Sequence, residues 1–352
     1  MPSYKSIQPD SVKANYGPNE NISFSLNHNG EKIVPDTIRV YGELQIVNNN
    51  DTCVADTDTG IHSVWANISV EFEKVGLVQN LLSPARYQKM RSQALQSDGQ
   101  KIASSRNVVA LKLARSNQMN SLLKGKAGTA DRMPFMCPLY CLMNESSQAV
   151  PYSKTGQITI NLRTASTNEF LSHGDANTTY QLNDLELHYQ TQPEADKDSK
   201  TPVKALTHYS VKHIISSSRA SVSTRVPATV QSVAVSFIPS AQENQPDQNH
   251  LKCSLPDGVE SIQFTFNDGQ DLVKFPLKER EEILMNYFHS MGSSPYNSIR
   301  ISQMDLSGNQ YGQGLNFGTL VDLTNQSLGY EMVSGIANPT SMYMYFSGVV
   351  EF

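Results

Sequence analysis

The side chains of this sequence that could do chemistry are eight histidines, four cysteines and a few acidic clusters, and their spacing decides how much they can do. The histidines (His28, His62, His173, His188, His208, His213, His250 and His289) never form His-x-His or His-Glu-x-x-His, the pairs that bring two imidazoles onto one metal. That removes the metal-dependent cupin type of barrel enzyme. Cys53, Cys137, Cys141 and Cys253 are scattered. On one strand Cys137 and Cys141 would share a face about 13 Å apart, too far for a disulfide. Four reduced, buried, structural thiols are expected. Asp51, Asp56 and Asp58 superficially suggest a calcium loop within residues 48–60. An EF-hand needs Gly sixth and Glu twelfth, and counting from Asp56 those places hold Ile61 and Asn67. A solvated acidic loop is the expectation there. "KGKAGT" (124–129) lacks both the Ser or Thr after its Gly-Lys and a Gly five residues earlier, so it reads as a mobile loop rather than a phosphate cradle. No Gly-x-Ser-x-Gly elbow occurs. Glu279 and Glu282 sit at ordinary solvated helix spacing, although a glycosidase could draw its carboxylates from distant strands. No catalytic, cofactor-binding or metal-ligating residue is assigned, and no cofactor is expected.

What must hold these residues is a strand-rich scaffold. The chain has 352 residues, 38% hydrophobic but only 17% charged, with a net charge of −5. Two domains or one large all-β unit suit that length, and outer faces carrying hydroxyls and amides suit that balance. No basic run stands out, which argues against a dedicated nucleic-acid binder. The first 21 residues hold no apolar h-region, so synthesis in the cytoplasm without a secretory signal is expected. No stretch approaches the ~18 apolar residues that span a bilayer.

Period-two alternation marks the strands. "NISFSLN" alternates at Ile22, Phe24 and Leu26, and "TIRVYGELQIV" at Ile38, Val40, Leu44 and Ile46. "GIHSVWANISVEFEKV" places Val64, Ala66, Ile68, Val70 and Phe72 on one face and Trp65 on the other. The segment after it passes into a helix opened by Ser83-Pro84 and closed near Gly99, which is expected to fold over Trp65. "NVVALKLAR" (107–115) follows. "MPFMCPLYCLM" (133–143) carries two prolines that confine it to an edge. After "GQITINLRT", the parity change between Leu182 and Leu185 predicts a bulge at Asn183-Asp184. The charged segment 192–202 is the best domain boundary. Beyond it strands resume: "LTHYSVKHII", "VQSVAVSFIPS", and "VESIQFTFNDGQDLVKF" with an Asn-Asp-Gly hairpin turn. A second helix, "LKEREEILMNYFHSMG", buries Ile283, Leu284, Tyr287, Phe288 and Met291 and stops at Gly292. "SIRISQMDL" (298–306) and three more strands close the chain, the last placing Met342, Met344, Phe346, Val350 and Phe352 on one face.

Each half thus holds seven or eight short strands with one inserted helix, a texture of sandwiches or barrels. The strand "GIHSVWANISVEFEKVGLVQNLL" running into a helix with Tyr87 resembles the first barrel of double-jelly-roll major capsid proteins. "GQITINLRT" with "YQLNDLELHY" is similar to that barrel's closing strands. "LNFGTLVDLTNQSLGYEMVSG" and "PTSMYMYFSGVVEF" are similar to the end of the second barrel. This is the lineage of adenovirus hexon and of tailless icosahedral bacteriophages with an internal membrane.

The resemblance implies an all-β fold of two consecutive antiparallel eight-stranded jelly rolls, each with a short inserted helix that plugs a barrel end. It implies an N-terminal arm (1–20), a first jelly roll (21–192), a linker (193–202) and a second jelly roll (203–352). It implies a virion protein that forms homotrimeric, pseudo-hexameric capsomers of an icosahedral capsid. Its partners would be itself, neighbouring capsomers, penton and minor capsid proteins, and an internal viral membrane, with no specific nucleic acid and no enzymatic activity. Pro9, Gly17 and Pro18 spoil the membrane-facing amphipathic helix that some members carry at the N-terminus. The competing class is a binding module, a virion spike or carbohydrate-binding β-sandwich. A spike would show a shaft or repeats, and a sugar binder more than one tryptophan.

Overall fold

The computed structural model describes residues 2–47, 52–56, 59–95, 122–124, 132–173, 177–195, 201–267, 270–271, 276–292 and 310–352. The strands expected at 107–115 and 298–306, the "KGKAGT" loop beyond Lys124, Asp51, Asp58, Asp268-Gly269 and the end of the first helix near Gly99 lie outside them.

In the first half the strands of five or more residues are β1 (Ser3–Ile7), β2 (Asn21–Leu26), β3 (Arg39–Val47), β4 (Trp65–Phe72), β5 (Gly76–Leu82), β6 (Met133–Pro138), β7 (Ile158–Thr164) and β8 (Thr179–Pro193), with one long helix, α1 (Pro84–Leu95), after β5. In the second half they are β9 (Lys204–Ile215), β10 (Arg219–Thr224), β11 (Thr229–Pro239), β12 (Ser261–Phe266), β13 (Gln313–Asp322), β14 (Leu328–Val333) and β15 (Thr340–Glu351), with helix α2 (Arg280–Ser290) between β12 and β13.

Alternation does the folding. Ile22, Phe24 and Leu26 of β2 stand opposite Leu162, Ile160 and Ile158 of β7, and these in turn pair with Ile68, Val70 and Phe72 of β4. All nine are buried in one core with Val40, Leu44 and Ile46 of β3 and Leu182 and Leu187 of β8. The facing sheet runs β6-β3-β8, and β1 pairs with β8. β6, with its two prolines, is the end strand of that order. It stops at Pro138, and Cys141 lies in the turn beyond rather than on a strand. The bulge expected in β8 is present: the register against β3 shifts between Asn183 and Glu186, with Asp184 at φ 51.

The second core gathers Val233, Val235 and Phe237 of β11, Met342, Met344 and Phe346 of β15, and Ile262, Phe264, Tyr330 and Met332 from the facing sheet β10-β14-β12. Two jelly-roll barrels therefore stand in one chain. A single eight-stranded sheet, in the order β13-β11-β15-β9-β5-β4-β7-β2, runs through both.

Three local expectations are corrected. Residues 60–64 form a 3-10 turn, and β4 begins only at Trp65. A register shift between Arg163 and Thr164, which pairs Trp65 with Thr164, turns Trp65 into the first core, 1% exposed. Its indole N–H donates to Cys137 Sγ at 3.4 Å. The stretch before α1 is a strand, β5, hairpinned onto β4, so the chain turns back once before the helix starts. The helix in question also covers a different surface from the one expected.

Of the two long helices, α2 packs on the second half, while α1 touches both: Tyr87, Met90 and Ala94 enter the second core, and Lys89 and Arg91 pair with Asp56 and Glu145 of the first half. Tyr287 and Phe288 of α2 are buried, and Gly292 ends the helix at φ 81, a left-handed conformation that glycine adopts without strain. α2 presses on β13 at Gly314. A Cβ there would collide with Ser290 Oγ and lie 2.9 Å from the Val233 carbonyl oxygen. Gly314→Ala should therefore lower stability by about 2 kcal/mol through overpacking, read as a lower urea midpoint with an unchanged slope.

Candidate functional site: the joint between the two barrels

The sheet crosses from one barrel to the other where β5 and β9 run parallel, with Tyr209 opposite Asn80. That pairing is short. Side chains reinforce it: Ser210 Oγ accepts from Leu82 N at 2.5 Å, Thr207 Oγ1 donates to Val78 O, and Tyr209 OH donates to Leu77 O at 3.0 Å.

α1 leaves β5 at Ser83, held at φ 45, whose carbonyl accepts from Arg86 N and from Tyr345 OH. Pro84 opens the helix, its fixed φ suiting a first-turn position. The sequence places α1 in the first half, yet Tyr87, Met90 and Ala94 are buried in the second core. The Tyr87 ring lies 5.3 Å from Tyr345 and 4.9 Å from His208. This explains why β15 is buried on both faces: Met342, Met344 and Phe346 enter the barrel, while Tyr343 and Tyr345 meet α1. α1 is a strut between barrels rather than a barrel plug.

Two charged groups on α1 fasten the joint. Arg86 is fully buried. Its guanidinium donates to Lys252 O at 3.0 Å, to His250 O and to Ser236 Oγ at 3.4 Å, and lies 4.7 Å over the Tyr343 ring. Among the described ion pairs it has no carboxylate. Its charge is met by carbonyl dipoles and a ring face. One turn further, Arg91 donates to Glu145, and Glu145 also holds His208 Nε2 at 2.5 Å. Burial alone would raise the Glu145 carboxyl, but the charge and hydrogen bond of His208, with Arg91, hold it at about 2. A 2.9 Å contact between Tyr87 OH and Ser347 Oγ, and a 3.3 Å contact from Ser347 Oγ to His208 Nδ1, complete this network.

The segment after β11 is stitched to the first barrel. Asn168 Nδ2 donates to Asn244 O at 2.8 Å, Ser172 Oγ to Gln248 O at 3.0 Å and His173 N to Pro246 O at 2.6 Å. At the opposite end Phe352 stacks edge-on with Phe72 at 5.2 Å.

The chemistry weighed from sequence is absorbed into structure. All four cysteines are buried and none is in a disulfide. Cys137 Sγ lies 3.3 Å from His62 Nδ1, but burial pushes the thiol up to about 12, against the opposing indole bond, and His62 down to about 4. A thiol and an imidazole that both stay neutral make no nucleophile. Burial first, then Arg86, pushes His250 down to about 3. Asp56 is not solvated: it is buried and ion-paired with Lys89. Glu279, the N-cap residue of α2, and Glu282, in its first turn, are exposed. Among the described residues no group of three or more His, Cys, Asp or Glu could hold a metal. No described helix is long and apolar enough to cross a membrane. Sequence reasoning missed Arg86 and Glu145 altogether and gave His208 no partner, because nothing local marks partners so far apart in the chain.

No protein-family model and no curated protein matches the sequence. Solved structures do. The Faustovirus major capsid protein is similar at TM-score 0.69 and 10% identity, over 100% of this chain and 90% of that one. The major capsid protein of Sulfolobus Turreted Icosahedral Virus is similar at TM-score 0.57 and 12% identity, over 99% and 97%. The mavirus major capsid protein is similar at TM-score 0.52 and 9% identity, over 99% and 90%. The chain has the double-jelly-roll fold of these capsid proteins.

Proposed function

We propose that this chain is a major capsid protein whose function is self-association into an icosahedral virus shell. One observation carries the reading. The fold of viral major capsid proteins extends over the whole chain, both barrels included, and the two barrels are fastened to each other by buried contacts along their joint. A rigid pair of similar barrels is a building block with two near-equivalent sides. Three such chains around an axis present six, so one protein can tile a nearly hexagonal lattice. The low charge of the sequence suits flanks that pack against copies of themselves.

In this reading residues 1–20 are an arm, 21–192 and 203–352 the two jelly rolls and 193–202 their linker. The arm is strand rather than amphipathic helix where β1 lies against β8, so contact with an internal membrane would need another element. Penton and minor capsid proteins are further partners, and the chain is not an enzyme.

A homotrimer in solution is expected, each subunit burying well over ~2,000 Å² of total interface, the range of obligate assemblies. Light scattering coupled to size exclusion should give three times the 38.9 kDa chain mass. A stable monomer at micromolar concentration would favour the spike or sugar-binding module instead.

A further inference from the structure

Asp56 holds two nitrogen atoms on one buried oxygen. Its Oδ2 accepts from Lys89 Nζ at 2.5 Å and from Asn249 Nδ2 at 2.7 Å. The side chains of Asp56 and Lys89 are 3% and 13% exposed. The other carboxylate oxygen is fixed by Thr59 N and Thr59 Oγ1, both at 3.2 Å. Asn249 Oδ1 accepts from Leu251 N at 3.0 Å, so a backbone donor already sits where negative charge would develop if its Cγ were attacked. A cavity of about 10 Å³ lies alongside, lined in part by Asp56, Asn249 and His250, at the lower bound for a single water-sized molecule.

An amine, an amide carbon, a carboxylate touching both side chains and a donor on the amide oxygen are the parts of an acyl transfer. We propose that Lys89 and Asn249 become joined by an isopeptide bond, with Asp56 as the proton carrier. Asp56 takes a proton from the Lys89 ammonium, and the freed Nζ lone pair attacks Asn249 Cγ. The Nζ–Cγ bond forms and the Oδ1 anion is met by Leu251 N–H. As the tetrahedral centre collapses, Asp56 returns the first proton to Nδ2, the Cγ–Nδ2 bond breaks and ammonia leaves. The freed Asp56 carboxylate takes the second Nζ proton and passes it to the departing ammonia, which goes out as ammonium and leaves a neutral amide. No oxidant or reductant is needed. Holding the two nitrogens on one oxygen supplies the proximity that such a step requires. The product ties α1 covalently to the segment after β11, across the joint that Arg86 and Glu145 hold without covalent bonds. This inference stands independently of the capsid reading.

The test is the mass of the purified full-length protein under denaturing conditions, followed by a tryptic digest. The expected protein is lighter than its sequence by one ammonia and yields a branched peptide joining residue 89 to residue 249. Lys89→Arg, which keeps a cation beside Asp56, should restore the encoded mass and give only linear peptides. Wild-type protein at the encoded mass, with Lys89 and Asn249 in separate linear peptides, would overturn the proposal. So would loss of ammonia without the branch, which would mean that Asn249 had cyclised on its own backbone.

Discussion

Arg86→Ala should lower the stability of the folded chain by about 4 kcal/mol, the range for emptying a large buried side chain and orphaning its hydrogen-bond partners. The carbonyls of His250 and Lys252 lose their donor, and the Tyr343 ring loses its cation. Arg86→Lys should recover little of this, because one ammonium cannot span acceptors that a planar fork reaches together. Arg86→Met separates the two causes: it fills space but supplies no donor. Urea midpoints for the three variants should fall in the order lysine, methionine, alanine. An alanine variant within about 1 kcal/mol of the parent would mean that α1 is not the strut between the barrels.

Acid should loosen the same joint. Glu145 and Glu243 are both held at about 2 against an ordinary 4.5. For Glu243, burial opposes ionisation, but Lys212, Ser341 and Tyr343 all donate to the carboxylate. Their side chains are 16% and 10% exposed, so solvent screens them little. A carboxyl whose folded pKa is depressed contributes stability in full above its unfolded pKa, here near 4.5. That contribution is lost as pH falls through the folded pKa near 2, about 3 kcal/mol for each group. Thermal midpoints should therefore begin to fall below about pH 6.5, where only the unfolded chain protonates the histidines that burial keeps neutral, His62 and His250. They should drop more steeply from about pH 5 toward pH 2 as the two carboxylates add their share. Glu145→Gln should start lower at neutral pH and lose less across that window. Parallel curves for the variant and the parent would show that Glu145 does not titrate as the joint requires.

Much of the scaffold was legible because it follows local rules. Ile22, Phe24 and Leu26 announced a strand by alternation, Leu182 and Leu185 announced a bulge by breaking it, and two prolines put β6 at an edge. Gly292 marked the end of α2. The misses share one cause. Trp65 reads as outward-facing until a bulge on its partner strand turns it inward, and that bulge is written in the pairing with β7 rather than in β4. The hairpin of β4 and β5 was obscured because the three residues between them, Glu73, Lys74 and Val75, are not turn formers, and Gly76 at the start of β5 is the one turn signal. The joint was not legible. Tyr209 lies opposite Asn80, and Arg86 reaches Lys252, through contacts more than a hundred residues apart, and no period of two or 3.6 encodes such a meeting. Asp56, which looked like part of a solvated loop, is drawn inward by Lys89 and Asn249 for the same reason.

The central claim is that two joined barrels are the repeating unit of a shell, and electron cryomicroscopy of the purified assemblies tests it most directly. Six-sided capsomers are expected, three chains to each, every chain supplying two upright barrels linked through the β5–β9 seam. Particles or sheets built from them should show a hexagonal lattice. Assemblies in which each chain stands alone, or whose capsomers have only one barrel per side of a triangle, would contradict the account.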